Sequence, residues 1–335
     1  MIKTMVLGTA HGHVFHVAET AAQMDDVELV GVYDDDPSRL KTAGEKLHVK
    51  GFAELDEAMA QQPDLVLIGA VPSDRASLAT RALKQSAAAL LDKPIAVTHD
   101  ALDGLIAAQR QSGRPAMVFY PYRGYPHLLA AKAAIDAGRI GKLVRIFSAG
   151  PHRLNFPGRP EWHFTRAGNG GALVDIGSHH FDIVCWFAGC APSYICATQT
   201  NISHPEKKEF QDFAHAQLVF PGGILGHVEV DWLTPDSMKS FGDSRIWFQG
   251  TTGNIESRIG DETHALICDD KAAGEALDLT AFPEPGAWTK KLIADVARGE
   301  RCAIDQEEIW RTSRTSLYAL DSALAGGKPI VEPKY

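Results

Sequence analysis

Long hydrophobic runs are missing from this 335-residue chain, and none approaches the roughly 18 uninterrupted apolar residues that a membrane helix needs. No membrane partner is expected. A basic excess is missing as well: 33 Lys and Arg stand against 42 Asp and Glu, a net charge of −9, with no cationic run interleaved with aromatics. That balance argues against a nucleic-acid surface. Cysteine is scarce. Cys185, Cys190, Cys196, Cys268 and Cys302 are odd in number and lack CxxC spacing, so neither a disulfide framework nor a thiolate zinc site is expected. The N-terminal "MIKTMVLGTAHGH" has only a short apolar run before its glycine and no small-residue cleavage site, so it reads as a first strand and the chain as cytoplasmic.

What is present is enough apolar sequence for two domains, which the length also suggests. From residue 1 to 120, short β-rich runs ("KTMVLG", "VELVGVYD", "PDLVLIG", "AALLDKP", "PAMVFY") alternate with helical ones. This alternation predicts an α/β, doubly wound parallel sheet of the Rossmann type. From 121 to 335 the texture changes. A helix, the strand "KLVRIFSAG", a Pro/Gly/Arg-rich loop and a second helix precede the β-type runs "APSYICATQT", "FAHAQLVF", "ILGHVEVDWL", "SRIWFQG" and "GNIESRIG". The second domain is expected to be α+β, a largely antiparallel sheet backed by helices, with the closing helix "DQEEIWRTSRTSLYALDSALAGG" able to pack back on the first domain.

The turn "VLGTAHGH" ends the first strand and opens the first helix, where a parallel sheet offers backbone N–H groups to a phosphate. A GxGxxG fingerprint would fall on Gly8, Ala10 and His13, with Thr9 and Gly12 between them. Only its first glycine is kept. Ala10 is still small, His13 replaces the residue expected to let helix and strand pack closely, and Gly12 restores some freedom. Asp34 ends the second strand about 20 residues on, where an acid accepts from ribose hydroxyls. Asp35 and Asp36 follow and would repel a 2′-phosphate, so NAD(H) is expected over NADP(H).

Downstream, "GGALVDIGSHHFDIVCWF" (170–187) sets two acids and two histidines in an apolar run. At about 100° per residue, Asp175, His179, Asp182 and Trp186 share one helical stripe and Ile176, His180, Ile183 and Phe187 another. The first stripe is read as the chemical face. On it Asp182 is assigned a structural place, and His180 is read as a core histidine bonded to a backbone carbonyl.

These blocks resemble the Gfo/Idh/MocA oxidoreductase family over nearly the whole chain: the degenerate glycine turn, "DKP" where that family usually has Glu-Lys-Pro, "AAKAAIDAGRIGKLVRI", "GGALVDIGSHHFDIVCWFAG" and "GGKPIVE". After Pro72, Ala76 stands where a histidine is frequent. The resemblance implies NAD as cofactor, held by the turn, Asp34, Pro72 and Lys93, and a homodimer or homotetramer formed through the open-faced sheet of the second domain. It also implies that Lys93, Asp175 and His179 are the catalytic set. His179 would be the acid/base, a task suited to a near-neutral imidazole; Asp175 would orient, and Lys93 would stabilise developing alkoxide charge.

The loop before the second helix carries His152, Arg153, Trp162 and His163, and the domain junction carries Arg123, all candidates for gripping a sugar, polyol or sugar acid. Against each stands the reading of an ordinary solvated loop. No metal site is expected: His11, His13 and His16, or His179 and His180 with His152 and His163, form no HExxH or Cys-His block. Two alternatives to a dehydrogenase stay open, namely a non-redox isomerase or eliminase acting through transient oxidation and a non-catalytic NAD-binding regulator.

Overall fold

The structure is a computed structural model and describes residues 1–260 and 262–335. The chain divides into two compact units, one of Met1–Tyr120 with Gly286–Trp310 and the other of Pro121–Pro285 with Arg311–Tyr335. The segment 286–310 therefore belongs with the first unit, although its place in the sequence groups it with the second.

The first unit holds a six-stranded parallel sheet of β1 (Ile2–Leu7), β2 (Val27–Tyr33), β3 (Gly51–Phe52), β4 (Leu65–Ile68), β5 (Ala88–Leu91) and β6 (Ala116–Val118). The order is β3-β2-β1-β4-β5-β6, that of a doubly wound dinucleotide-binding sheet whose direction reverses between β1 and β4. The crossovers are α1 (His13–Ala22), α2 (Pro37–Leu47), α3 (Leu55–Met59), α4 (Pro72–Lys84) and α5 (His99–Ser112). Strands β4 and β5, "LVLI" and "AALL", are buried at every residue, as strands covered on both faces must be. Gln306 bonds both the N–H and the C=O of Ala116, which closes the free edge of β6. Trp288 packs near Phe119 on the same side.

The second unit is built on a nine-stranded sheet. Its elements are α6 (Pro126–Asp136), β7 (Leu143–Pro151), the short α7 (Arg166–Asn169), α8 (Gly177–Ala188), β8 (Tyr194–Thr200), β9 (Phe213–Val219), β10 (Leu225–Asp231), β11 (Ser244–Gly250), β12 (Asn254–Ile259), β13 (His264–Cys268), β14 (Ala273–Ala276) and β15 (Ile330–Val331). Two further helices, α9 (Pro285–Arg298) and α10 (Gln306–Leu324), straddle the residue limits of the two units. The strand order is β14-β13-β12-β11-β7-β10-β9-β8-β15. Pairing is antiparallel except at β7–β10, the one parallel pair in this sheet among the described residues.

Burial alternates along these strands, with Ile146, Val228, Val230, Ile246 and Phe248 fully buried on one face. Helix α8 lies on that face against β7 and β10, and Phe187 stacks on Phe248 at 4.1 Å. Leu225 is exposed on the other face. The period-2 alternation is what an open-faced sheet requires.

The turn after β1 shows why its first glycine is needed. Gly8 has φ +74°, and a Cβ there would collide with the backbone of Ala70. Gly12 meets nothing within 4 Å. Gly8→Ala is expected to destabilise the first unit by more than the roughly 1–2 kcal/mol that left-handed backbone alone costs an L-residue, and Gly12→Ala to leave its denaturation midpoint close to wild type. Chemical denaturation of the two variants side by side checks this.

Candidate active site

In the first unit the sheet's carboxyl ends gather the nucleotide residues. Thr9 donates from both its N–H and its hydroxyl to Asp34 Oδ2, at 2.7 Å each. Asp34 Oδ1 accepts from Asp36 N–H at 3.0 Å and from Arg39 Nε at 3.0 Å. Burial would raise the Asp34 carboxyl, which is 1% exposed, but the hydrogen bonds from Arg39, Asp36 and Thr9 outweigh it and hold the group below its ordinary value. Its oxygens being taken in this way, Asp34 works first to pin the turn. A cleft of about 210 Å³ beside it is lined by Gly8, Asp34, Asp35, Arg39, Val71 and Asp74. Asp35 is 73% exposed there. Pro72 opens α4 next to this wall. A glycine that tolerates no Cβ and an acidic rim together form a cradle that fits the phosphates and ribose of a dinucleotide.

His13 sits at the first position of α1, with Gly12 as N-cap and Ala10 part-buried before it. The close helix-to-strand approach that the third glycine of a fingerprint would serve is found elsewhere: a Cβ on Gly69, just past β4, would strike Val14 of α1. The small residue has moved to the sheet side of the contact.

Lys93 follows β5 and is buried, joined to Pro94 by a cis peptide bond. The wholly buried Arg75 on α4 donates from Nε to Ala70 C=O at 2.8 Å and from Nη1 to the carbonyls of Lys93 and Pro94. Asp92 accepts from the Lys93 N–H at 2.8 Å and is met by both turn histidines. His13 Nδ1 is 3.0 Å from Asp92 Oδ1, and His11 Nδ1 is 2.6 Å from Oδ2. Burial would raise this carboxyl, but His11, His13 and Arg75 together hold it well below the usual carboxylate range.

In the second unit the candidate residues lie around the start of α8. Asp175 lies two residues before the first residue of the helix and not on it, because the N–H of Gly177 bonds to Ala172 C=O, five residues back, and that wider turn breaks the helical phase. Asp175 is buried and accepts from Asn169 Nδ2 at 3.2 Å. His179 is buried in the first turn of α8, its ring stacked on Tyr122 at 5.0 Å with 29° between planes. Tyr122 also presents its edge to His180 and lies 3.3 Å from the Ser244 hydroxyl. Burial pushes the Tyr122 phenol up to about 12, so it stays protonated. His180 is a core residue, but its Nδ1 partner is the Ser148 hydroxyl at 2.7 Å and not the backbone carbonyl expected. Gly150 makes room for that ring.

Of the residues expected to grip a substrate, several have other work. Arg123 forms a buried two-point pair with Asp182, Nε to Oδ2 at 2.7 Å and Nη2 to Oδ1 at 2.9 Å, and lies over Trp186 at 4.5 Å. Its fork is therefore committed within the protein. Arg153 donates to the carbonyls of Met238 and Ser240. His163 is buried edge-on to Trp232, and the half-buried Trp162 lies beside it. His152, part-buried, points Nδ1 at Gly150 C=O and meets Trp232 and Phe241 edge-on. Arg159 belongs to the same loop, whose guanidinium groups are candidates for gripping a carboxylate. Its guanidinium lies over Trp232 at 5.0 Å, lowered in pKa by burial and raised again by Asp175.

The Arg123–Asp182 pair ties the short 3-10 turn Pro121–Gly124, and with it Tyr122, to α8. Removing one partner leaves the other charge buried. Asp182→Ala is expected to cost about 3–5 kcal/mol in a denaturant titration, whereas the exposed-pair variant Glu262→Ala should cost less than about 1 kcal/mol.

Comparison with known proteins adds to this geometry. Residues 2–120 match the oxidoreductase family with NAD-binding Rossmann fold, and residues 128–256 the GFO/IDH/MocA C-terminal domain. An Erwinia carotovora structure described as an oxidoreductase superposes with a TM-score of 0.88 at 27% identity, covering 96% of this chain and 99% of that one. An Agrobacterium radiobacter oxidoreductase in complex with NAD+, L-tartaric acid and magnesium gives 0.83 at 18% identity, covering 98% of each chain. The scyllo-inositol 2-dehydrogenase (NAD(+)) of Bacillus subtilis is 24% identical across 90% of this chain and 88% of its own. Other curated relatives are matched over only 42% and 62% of their length. With both domain signatures found in order and the doubly wound and open-faced sheets in place, the chain belongs to the Gfo/Idh/MocA oxidoreductase family.

Proposed function

We propose that this protein is an NAD-dependent dehydrogenase that oxidises a secondary hydroxyl of a sugar, polyol or sugar acid. The observation that carries the reading is the start of α8, where a buried imidazole, His179, is held by a stacked tyrosine with the buried carboxylate Asp175 one turn before it. Bound NAD supplies the hydride acceptor. His179 takes the hydroxyl proton as oxidation begins, the position next to a fixed ring giving it one orientation. Asp175, buttressed by Asn169, orients the substrate hydroxyl or the imidazole. Lys93 supplies positive charge for the developing alkoxide, its main chain held by Arg75.

Two features support NAD(H) over NADP(H). Asp34, Asp35 and Asp74 give the cleft beside the turn an acidic rim. Arg39, the cation placed to meet a 2′-phosphate, is already engaged by Asp34 and Asp35, and sits near Asp36. A phosphate there would have to displace carboxylates before it found a charge partner. For the substrate, Arg159, His152 and the half-buried Trp162 suit a polyhydroxylated or carboxylated ligand, and the relatives' names, inositol dehydrogenase and D-apiose dehydrogenase among them, support the same class. In this reading the open sheet face carries self-association and the enzyme works in the cytoplasm.

Absorbance at 340 nm with NAD across aldoses, inositols, polyols and aldonates tests the proposal. Wild type is expected to generate NADH on at least one of them. His179→Ala should lower kcat by about 10²–10⁴-fold with NAD affinity unchanged. Silence of the wild type on every substrate, with NAD bound, would favour the non-redox or regulatory reading, and a kinetic preference for NADP would overturn the role given to the acidic rim.

A further inference from the structure

The nucleotide turn carries more chemistry than a dinucleotide needs. His11 and His13 flank Gly12 in the loop between β1 and α1, and Asp92 stands at the exit of β5, beyond the intervening β4. The two loops bring one donor atom from each of these three side chains within 4.8 Å of the others. The imidazole rings lie 4.5 Å apart at 79°, so they converge on Asp92 from different directions. A backbone-cradled diphosphate calls for neither imidazole.

The contact between His11 and Asp92 is the informative one. Nδ1 and Oδ2 are both buried and 2.6 Å apart, yet neither atom has a hydrogen-bond partner of acceptable alignment. An imidazole nitrogen and a carboxylate oxygen buried at that distance need a positive charge between them, a proton or a metal ion, and the alignment does not suit an N–H donor. We propose that His11, His13 and Asp92 form a binding site for a borderline divalent transition metal, zinc in class, which clamps the nucleotide turn to the strand end that bears Lys93.

The donor set and its surroundings select the ion. Two imidazole nitrogens and one carboxylate oxygen suit Zn2+ or Co2+. Tetrahedral bonds of about 2.0–2.2 Å place neighbouring donors roughly 3.4 Å apart, a spacing between the close contacts here and the 4.8 Å limit of the cluster. Rotation of the imidazoles suffices to reach it, since the His11 and His13 side chains are 20% and 38% exposed. That exposure also leaves an outward coordination position for water. Magnesium and calcium fit poorly. They need more oxygen ligands, and here a single carboxylate lies 3.5 Å from Arg75 and directly before Lys93.

The test uses full-length, tag-free protein stripped with a chelator and dialysed metal-free. Calorimetric titration with Zn2+, Co2+ and Mg2+ is expected to give one saturable site per chain for zinc and cobalt and none for magnesium, with a visible cobalt ligand-field band. His11→Ala and His13→Ala should each weaken zinc at least tenfold and abolish the band, while His227→Ala, on the sheet of the second unit, changes neither. Because Asp92 is buried, Asp92→Asn is read only alongside these two turn variants. Zinc should also raise the melting temperature of wild type and not that of His13→Ala. Absence of a saturable site, or zinc binding that persists unchanged in both turn variants, would overturn the proposal and leave a metal-free histidine–carboxylate cluster.

Discussion

A guanidinium sealed from water has to find its partners inside the protein, and the first unit is organised around one. Arg75 has no exposed surface, and its N–H groups reach the carbonyls of Ala70, Lys93 and Pro94. Those three residues belong to two different loops, the exit of β4 and the exit of β5. Leaving them unbonded would strand both a buried charge and buried carbonyls, a penalty larger than most single contacts supply. The loop with Lys93 is therefore held from within. Ala70, fixed by the same guanidinium, is also the residue against which Gly8 makes its closest approach. One buried arginine thus sets the lysine loop and one wall of the nucleotide turn together.

The second unit solves the same problem with a pair. Arg123 and Asp182 neutralise each other in the interior, and their geometry is two-pointed, so it fixes direction as well as distance. The consequence is local. Tyr122 precedes Arg123, and the anchoring of Arg123 holds the tyrosine ring against His179. The helix face of His179, Asp182 and Trp186, with Asp175 just ahead of it, accordingly divides into two tasks. Its near end carries the candidate chemistry, and its far end, Asp182 and Trp186, holds the turn that positions it.

Legibility in the sequence follows from this division. The strands β4, β5 and β10 announce themselves by apolar runs or clean alternation, and the change of texture after residue 120 is visible as composition. Asp182 was legible as structural because it lies two turns down the stripe from Asp175. The short β3 and α3 went unread, as did β13, β14 and α9, since two to five residues of mixed polarity give no period to measure, and α9 follows a Pro/Gly-rich stretch that reads as loop. Arg75 was illegible for a different reason: in "DRASLATRALKQ" an arginine looks like any solvated helix charge. Nothing local distinguishes it from Arg81, which is exposed and paired with Asp56.

The glycine turn shows how far a motif can drift while its physics is kept. Close packing of α1 on the sheet needs one position without a side chain, but it does not prescribe which partner gives it up. Here Gly69 does so opposite Val14, which frees the helix position to carry His13. Once freed, that position faces the exit of β5, where Asp92 stands one carbon shorter than the glutamate usual in the family. The shorter acid keeps its carboxylate close to the backbone, accepting from the Lys93 N–H, and both of its oxygens meet a histidine of the turn. The two departures from the family pattern, His13 for glycine and Asp92 for glutamate, therefore meet in one contact, and with His11 they brace the nucleotide turn against the loop of Lys93.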